Sequence, residues 1–166
     1  HTGPVEVEGT GEYPRDGLWN AAIHYRFRCT YAPGASPVAP AGFVMDVSNR
    51  SRGGALWEGS DGWVWVDRGG IDAEPKGLLK AAVAPSEIRL YESDDHTGNF
   101  VDCVATRRET VTPIEPAHRA ITIAHLGNIA MRLGRKIKYD PVEERILGDP
   151  EADRMRSRAM RAPWRL

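Results

Sequence analysis

The sequence has little of what marks membrane-bound, disulfide-stapled or nucleic-acid-binding proteins. Its 166 residues include two cysteines, Cys29 and Cys103. They are too few for a disulfide framework or a structural zinc site, so we expect both to be reduced and buried. No apolar run approaches the roughly 20 residues that cross a bilayer. The 22 basic and 23 acidic residues nearly cancel, and we therefore expect no nucleic-acid partner and no membrane partner.

Motifs for phosphate binding and nucleophilic catalysis are also missing. The sequence contains no G-x-G-x-x-G, no Walker loop and no nucleophile elbow. The first residues, His1 to Pro4, lack the charged and apolar regions of a signal peptide. The chain enters a strand-like run at Val5 without an initiator methionine, so we expect it to be a piece of a longer protein. On its own residues it presents no complete active site.

Hydrophobic periodicity indicates an α+β fold, because the first two-thirds of the chain alternates with period two and the last third with period 3.6. Residues Ala21 to Tyr31 predict a half-buried strand, and Gly42 to Ser48 predict a second. Gly54 to Gly70 predict a hairpin hinged at Asp61-Gly62. The core-facing residues of the first strand are Ile23, Tyr25, Phe27, Cys29 and Tyr31. We expect an open, mainly antiparallel sheet of at least four strands with helices packed on one face.

Helical spacing predicts a short helix at Pro75 to Ala82 and longer ones at Asp95 to Arg107 and Ala117 to Leu133. Asp94 or Asp95 would cap the second helix, and Gly134 would end the third. The core-facing helical residues are Phe100, Cys103, Val104, Ile121, Ala124 and Ile129.

The C-terminal part of the sequence predicts one more strand and one more helix. Lys136 to Tyr139 would add a strand at the sheet edge. Asp149-Pro150 starts a helix that we expect to end near Arg158. Residues 159–164 are apolar and irregular, and we expect them to pack on this domain or on a neighbouring subunit.

Two histidines share the long helix with Thr122 and Arg132. His118 and His125 are seven residues apart, or about 10 Å along a helix axis, so they cannot chelate one metal together. Their line of polar side chains either lines a pocket or is a solvated helix face. We predict no metal site.

Other candidate groups also have two interpretations. His96 is a possible general base or a neighbour of a helix cap. Arg15, in the turn Pro14 to Gly17, either clamps a substrate hydroxyl or carboxylate or lies in a surface turn. The acidic cluster Asp94, Asp95 and Asp102 is better explained by a helix N-terminus, and the basic patch Arg132, Arg135, Lys136 and Lys138 by a helix C-terminus. Trp57, Trp63 and Trp65 either stack on sugar rings or, as we favour, pack against other elements.

Five segments, in order and over nearly the whole chain, carry a resemblance: GPVEVEGTGEYP, EGSDGWVWVDRGG, DDHTGNFVDCV, HLGNIAMRLGRKIKYDP and RAMRAPW. They resemble the C-terminal half of Gfo/Idh/MocA dehydrogenases, the glucose–fructose oxidoreductase and inositol dehydrogenase family.

The resemblance implies a single C-terminal substrate and oligomerisation domain over residues 1–166, with an N-terminal Rossmann domain and catalytic Lys and His residues upstream of His1. NAD or NADP would be the cofactor of the full-length protein. No catalytic or cofactor-binding residue is then assigned to this chain. Arg15, His96, His118 and His125 are its candidates for the substrate cleft, and the polar line from His118 to Arg132 would face that cleft or the nucleotide domain.

We therefore predict the C-terminal half of an NAD(P)-dependent oxidoreductase acting on a sugar, a cyclitol or a derivative, in a homo-oligomer formed through the sheet face. One alternative is a free-standing carbohydrate-binding module that uses the three tryptophans; another is an assembly domain without catalysis. The compartment, bacterial cytoplasm or periplasm, stays open.

Overall fold

A computed structural model of the protein describes residues 3–164, and it divides into two compact units. Residues 1–2 and 165–166 lie outside this range. The expectations above for the first residues and for the C-terminal run include these positions. One unit combines the segment that ends at Arg50 with the segment that begins at Thr112, and the other runs from Ser51 to Val111.

The α+β class predicted from the sequence is confirmed. In chain order the strands are β1 (Glu6–Glu12), β2 (His24–Tyr31), β3 (Phe43–Ser48), β4 (Ala55–Gly59), β5 (Gly62–Val66), β6 (Ile71–Glu74), β7 (Ile137–Asp140) and β8 (Arg145–Leu147). The helices are α1 (His96–Thr106), α2 (Ile114–Leu133) and α3 (Pro150–Arg154), and a 3₁₀ helix spans Lys76–Lys80. None of the helices among residues 3–164 has the length and apolar character needed to span a bilayer.

The first unit is built on a five-stranded antiparallel sheet with the order β3-β2-β1-β7-β8. The predicted alternation of β2 is confirmed, since Phe27, Cys29 and Tyr31 are buried while Arg26 and Arg28 are exposed. Ile23 is an exception, because it precedes the strand and is 51% exposed.

Helix α2 packs its second half on β1 and β2. The buried residues of the helix are Leu126, Gly127, Ile129 and Ala130. They join Val7 and Phe27 in the core, where burying one large aliphatic side chain contributes about 1.5–3 kcal/mol. The expectation for Ile129 is confirmed. The expectation for Ile121 and Ala124 was wrong, because both are exposed and burial is confined to the half of α2 that covers the sheet.

The end of α2 follows the sequence prediction. Gly134 has a φ of 63°, in the left-handed region, and its N–H donates to the Ala130 carbonyl. The expected strand after it forms as β7, but not at the sheet edge. It pairs with β1 on one side and β8 on the other, so the three-residue β8 is the edge strand.

Helix α3 begins as predicted, with Asp149 accepting from the Ala152 N–H and Pro150 in the first turn. It ends at Arg154 rather than near Arg158. The following residues 155–164 contain turns but no helix or strand, and they are exposed.

The second unit contains a separate three-stranded sheet, β4-β5-β6, so the predicted hairpin forms but does not extend the larger sheet. Gly59 pairs with Gly62, whose φ of 136° supplies the positive value that the turn needs.

Helix α1 begins as predicted, because the Asp95 side chain accepts a hydrogen bond from the Gly98 N–H and so caps the helix. Cys103 is buried as expected, but Phe100 and Val104 are 59% and 49% exposed, so their predicted place in a core was wrong. Both cysteines are free and buried.

Candidate functional site

A groove of about 880 Å³ in the first unit lies along α2 and is the candidate site. His118, His125 and Arg132 line it from the helix. Arg154 and Arg158 line it from the C-terminal segment, which consists of α3 and the residues that follow it. Leu126, Ile129 and Tyr139, which are buried core residues, contribute to its floor. A volume of this size accommodates a small organic molecule, and the mixture of apolar floor and polar rim is typical of ligand sites.

His118 is held in place by an acidic side chain from the turn between β7 and β8. Its Nε2 lies 3.0 Å from Oε1 of Glu144, and the same oxygen lies 2.9 Å from Nη1 of Arg119. Arg119 also donates to the Pro141 carbonyl at 3.0 Å. The histidine ring is therefore oriented from α2 toward a fixed carboxylate, and its other nitrogen is the one left to meet a ligand.

The turn that carries Glu144 is stabilised by its own side chains and by the C-terminal segment. Asp140 Oδ1 accepts from the N–H groups of Val142 and Glu143 at 2.9 and 3.1 Å. Glu144 has a φ of 54°, which for a residue with a Cβ costs of the order of 1–2 kcal/mol. Its carbonyl accepts from Arg156 Nη1 at 2.8 Å. Several contacts thus fix a backbone conformation that brings the carboxylate into the groove.

Two further polar groups in the groove are available to a ligand. The side chain of His125 has no hydrogen-bond partner within residues 3–164. Burial raises the pKa of the Tyr139 phenol, and the neighbouring Glu144 carboxylate raises it further. The phenol therefore stays protonated at neutral pH and can donate a hydrogen bond.

Arg132 connects the groove to the loop between β1 and β2. Its Nη2 donates to the Asn20 carbonyl at 2.8 Å, and its guanidinium carbon lies 5.3 Å from the centre of the Tyr13 ring. The same loop exposes Leu18 and Trp19, at 98% and 83%. Arg132 thereby fixes one end of an apolar loop beside the groove.

The structure brings together two of the four residues predicted for a substrate cleft. His118 and His125 both line the groove, and both residues remain exposed to solvent. Arg15 lies in an exposed turn and is not among the lining residues, and His96 is the first residue of α1 in the second unit. The structure gives Asp95 the capping role that we favoured for the acidic cluster.

The three tryptophans do not share one face of their sheet. Trp63 pairs with Glu58 and Trp65 with Leu56, whereas Trp57 pairs with Val64. Because side chains of directly paired antiparallel residues lie on the same side, Trp63 and Trp65 share one face and Trp57 lies on the other.

Packing is uneven among these tryptophans. Trp57 is 60% exposed, which contradicts the packing that we favoured for it. Trp65 is half-buried, lies under the guanidinium of Arg52 at 3.2 Å and donates from Nε1 to the Gly53 carbonyl at 2.8 Å.

The basic residues at the end of α2 have structural partners. Arg135 makes ion pairs with Asp149 and Glu151, and Lys136 makes one with Glu6. Burial raises the pKa of the Cys29 thiol to about 12, so that thiol is neutral and not a nucleophile. Within residues 3–164 no group of three or more His, Cys, Asp or Glu side chains is arranged to hold a metal ion.

Several groove residues were not predicted as site residues. They are Tyr139, Glu144, Arg154, Arg156 and Arg158. The signal for the last three was the alternation of arginines in the sequence DRMRSR, residues 153–158, which is visible as a cluster of cations at the end of a short helix.

Comparison with known proteins identifies a family for this chain. No curated protein matches the sequence. The family model described as "Oxidoreductase family, C-terminal alpha/beta domain", of the Gfo/Idh/MocA group, matches residues 1–166. This match covers the whole chain, and it agrees with the resemblance found in five sequence segments. The chain belongs to the Gfo/Idh/MocA oxidoreductase family, of which it is the C-terminal alpha/beta domain.

Proposed function

We propose that this domain forms the substrate-binding side of an NAD- or NADP-dependent dehydrogenase that oxidises a sugar, a cyclitol or a derivative. The single observation that carries the proposal is the groove along α2. There the oriented His118, the unpartnered His125 and the phenol of Tyr139 all line one cavity, whose floor includes the apolar side chains of Leu126 and Ile129. Hydrogen-bonding groups distributed along an apolar surface suit a ring that carries several hydroxyl groups.

The cofactor site does not fit onto this chain, because the sequence has no G-x-G-x-x-G loop. In such an enzyme the nicotinamide supplies the hydride chemistry. The residues of this chain bind and orient the substrate, and the residues that bind cofactor and transfer the proton belong to another part of the protein. On this proposal the domain alone is inactive.

The dehydrogenase is preferred to a carbohydrate-binding module because of the tryptophan geometry. A module that binds sugar with Trp57, Trp63 and Trp65 together needs them on one surface, and the register of β4 and β5 divides them between two surfaces.

The proposal includes a homo-oligomer through the face of the five-stranded sheet opposite α2. That face carries paired charges, such as Arg28 with Asp46, so the interface would be polar.

The test measures nicotinamide reduction by the full-length protein with NAD or NADP and a panel of hexoses and cyclitols. We expect activity with at least one of them. His125→Asn is expected to raise KM about threefold to tenfold with less effect on kcat, because one lost hydrogen bond is worth about 0.5–1.5 kcal/mol. Lys80→Gln, at an exposed position of the Ser51–Val111 unit that does not line the groove, is the control and should leave KM unchanged. Absence of turnover with every member of the panel and both cofactors would contradict the proposal.

A further inference from the structure

The groove is lined by more positive than negative charge. Four arginines and two histidines contribute to it, against two glutamates. The arginines and glutamates that line the groove are Arg132, Arg154, Arg156, Arg158, Glu144 and Glu151.

Both glutamates are already engaged by cations. Glu144 lies 2.9 Å from Arg119 and 3.0 Å from His118. Glu151 lies 2.7 Å from Arg135. These carboxylates therefore leave little negative charge to balance the remaining arginines.

Of the four arginines that line the groove, one is neutralised by an ion pair with a carboxylate and the other three are not. Arg156 forms a two-bond pair with Asp153, at 2.6 and 3.0 Å. Among the described residues, Arg132 donates to uncharged acceptors only, the Asn20 carbonyl at 2.8 Å and the Asn128 side-chain oxygen at 3.3 Å. The side chains of Arg154 and Arg158 make no ion pair or hydrogen bond within residues 3–164.

We propose that the groove binds a small organic anion, whose carboxylate or phosphate group is held by Arg154 and Arg158 with Arg132 adding to the field. The planar guanidinium presents paired N–H donors that match the oxygens of either group. The rest of the molecule lies on the apolar floor beside His118 and His125. The proposal rests on the proposed function in one respect: it makes the anionic group part of the substrate.

Calorimetry on the full-length protein tests this with glucose 6-phosphate, glucuronate and glucose as probes, in the absence of nicotinamide. We expect at least one anionic probe to bind about tenfold or more tightly than glucose. The stronger of the two anions identifies the group as phosphate or carboxylate. Binding of the anion should also weaken as salt is added, because the arginines are exposed and screened.

Two matched double variants assign the effect to the groove. Arg154→Gln/Arg158→Gln should weaken anion binding about tenfold or more and bring it close to that of glucose. Arg68→Gln/Lys80→Gln removes the same charge from exposed positions of the Ser51–Val111 unit, outside the groove lining, and should change affinity less than twofold. Unchanged thermal unfolding of both variants verifies that they fold.

Equal affinity for all three probes, or equal loss in the two double variants, would overturn the proposal. Failure of the proposed function is a separate result, since it appears as absent nicotinamide reduction, whereas binding is measured here without turnover.

Discussion

At the scale of single residues, the position of α2 depends on the absence of a side chain at Gly127. This glycine is buried in the middle of the helix and faces the ring of Phe27 on β2. A Cβ at this position would lie 2.8 Å from three ring carbons of Phe27, closer than atoms in a packed core approach one another. Glycine thus allows the helix to approach the sheet closely.

Gly127→Ala should destabilise the protein by about 1–3 kcal/mol, the usual effect of overpacking a core. Chemical denaturation followed by circular dichroism measures this. An exposed helical glycine behaves in the opposite way, since alanine there gains about 1 kcal/mol of helix propensity. A gain of stability would therefore contradict the argument. Adding Phe27→Leu to the variant should recover part of the loss if the ring contact is its cause.

Residue identity also explains what could be predicted of the site. His118 and His125 were found from the sequence because their seven-residue spacing on a helix is a local property. Glu144 was not, since its role depends on a positive φ in a turn and on contacts with α2 and with Arg156. No short stretch of sequence contains that information.

At the scale of elements, the short helix α3 is fastened to the end of α2 by charge. Arg135 donates to both oxygens of Asp149, at 2.8 and 3.1 Å, and to Glu151 at 2.7 Å. Asp149 also caps α3. Its hydrogen bond with Arg135, together with the backbone N–H of Ala152, lowers the pKa of Asp149 from 3.8 to about 2. One side chain therefore both starts α3 and connects it to the preceding helix.

The folded-state pKa of Asp149 lies below its unfolded value, so this group stabilises the fold at pH values above about 4, and the contribution is lost as pH falls toward about 2. Asp149→Asn keeps an oxygen for the cap but removes the charge. It should lower stability at pH 7, and its difference from the parent protein should shrink between pH 4 and pH 2 in denaturant titrations.

Glu151→Gln is the comparison for that experiment. Glu151 is 61% exposed and Asp149 20%, so solvent screens the Glu151 pair more strongly and its removal should have the smaller effect. An equal or larger effect of Glu151→Gln would contradict the role given to Asp149.

The positions of the strands in the sequence were predicted better than the pairing between the strands. Alternation within β2 and the Gly59 to Gly62 turn are local signals, and both appear in the structure. The place of β7 inside the sheet was missed because its neighbour β1 is about 130 positions earlier in the sequence. The exposed faces of α1 and of the first half of α2 were missed because helical spacing marks an apolar stripe without specifying what covers it.

At the scale of the whole molecule, the two units differ in how much core they have. The buried hydrophobic residues of the unit from Ser51 to Val111 are Ala73 and Cys103, both small. The other unit buries Leu126, Ile137 and Tyr139 among others. Since burial of large apolar side chains is the main source of stability, we expect the free energy of local opening to be lower in the second unit.

Hydrogen exchange followed by mass spectrometry should therefore show faster amide exchange in β4, β5 and β6 than in β1, β2 and β7 at neutral pH. Their backbone hydrogen bonds are of the same kind, so the difference reports local opening rather than hydrogen-bond count. Peptides of α2 around Leu126 serve as the internal slow reference. Equal protection of the two sheets would contradict the link between core size and opening.

The pairing of β1 with β7 has a consequence for how the protein is made. Strand β1 leaves the ribosome before its partner β7, which is synthesised only after more than a hundred further residues. During that time the hairpin of β4 and β5, whose contacts are local, is able to form. The larger sheet is then completed last. Until Ile137 emerges, the edge of β1 at Glu6 and Val7 is open to pairing with other nascent chains, so we expect this strand to be where chaperones protect the growing polypeptide.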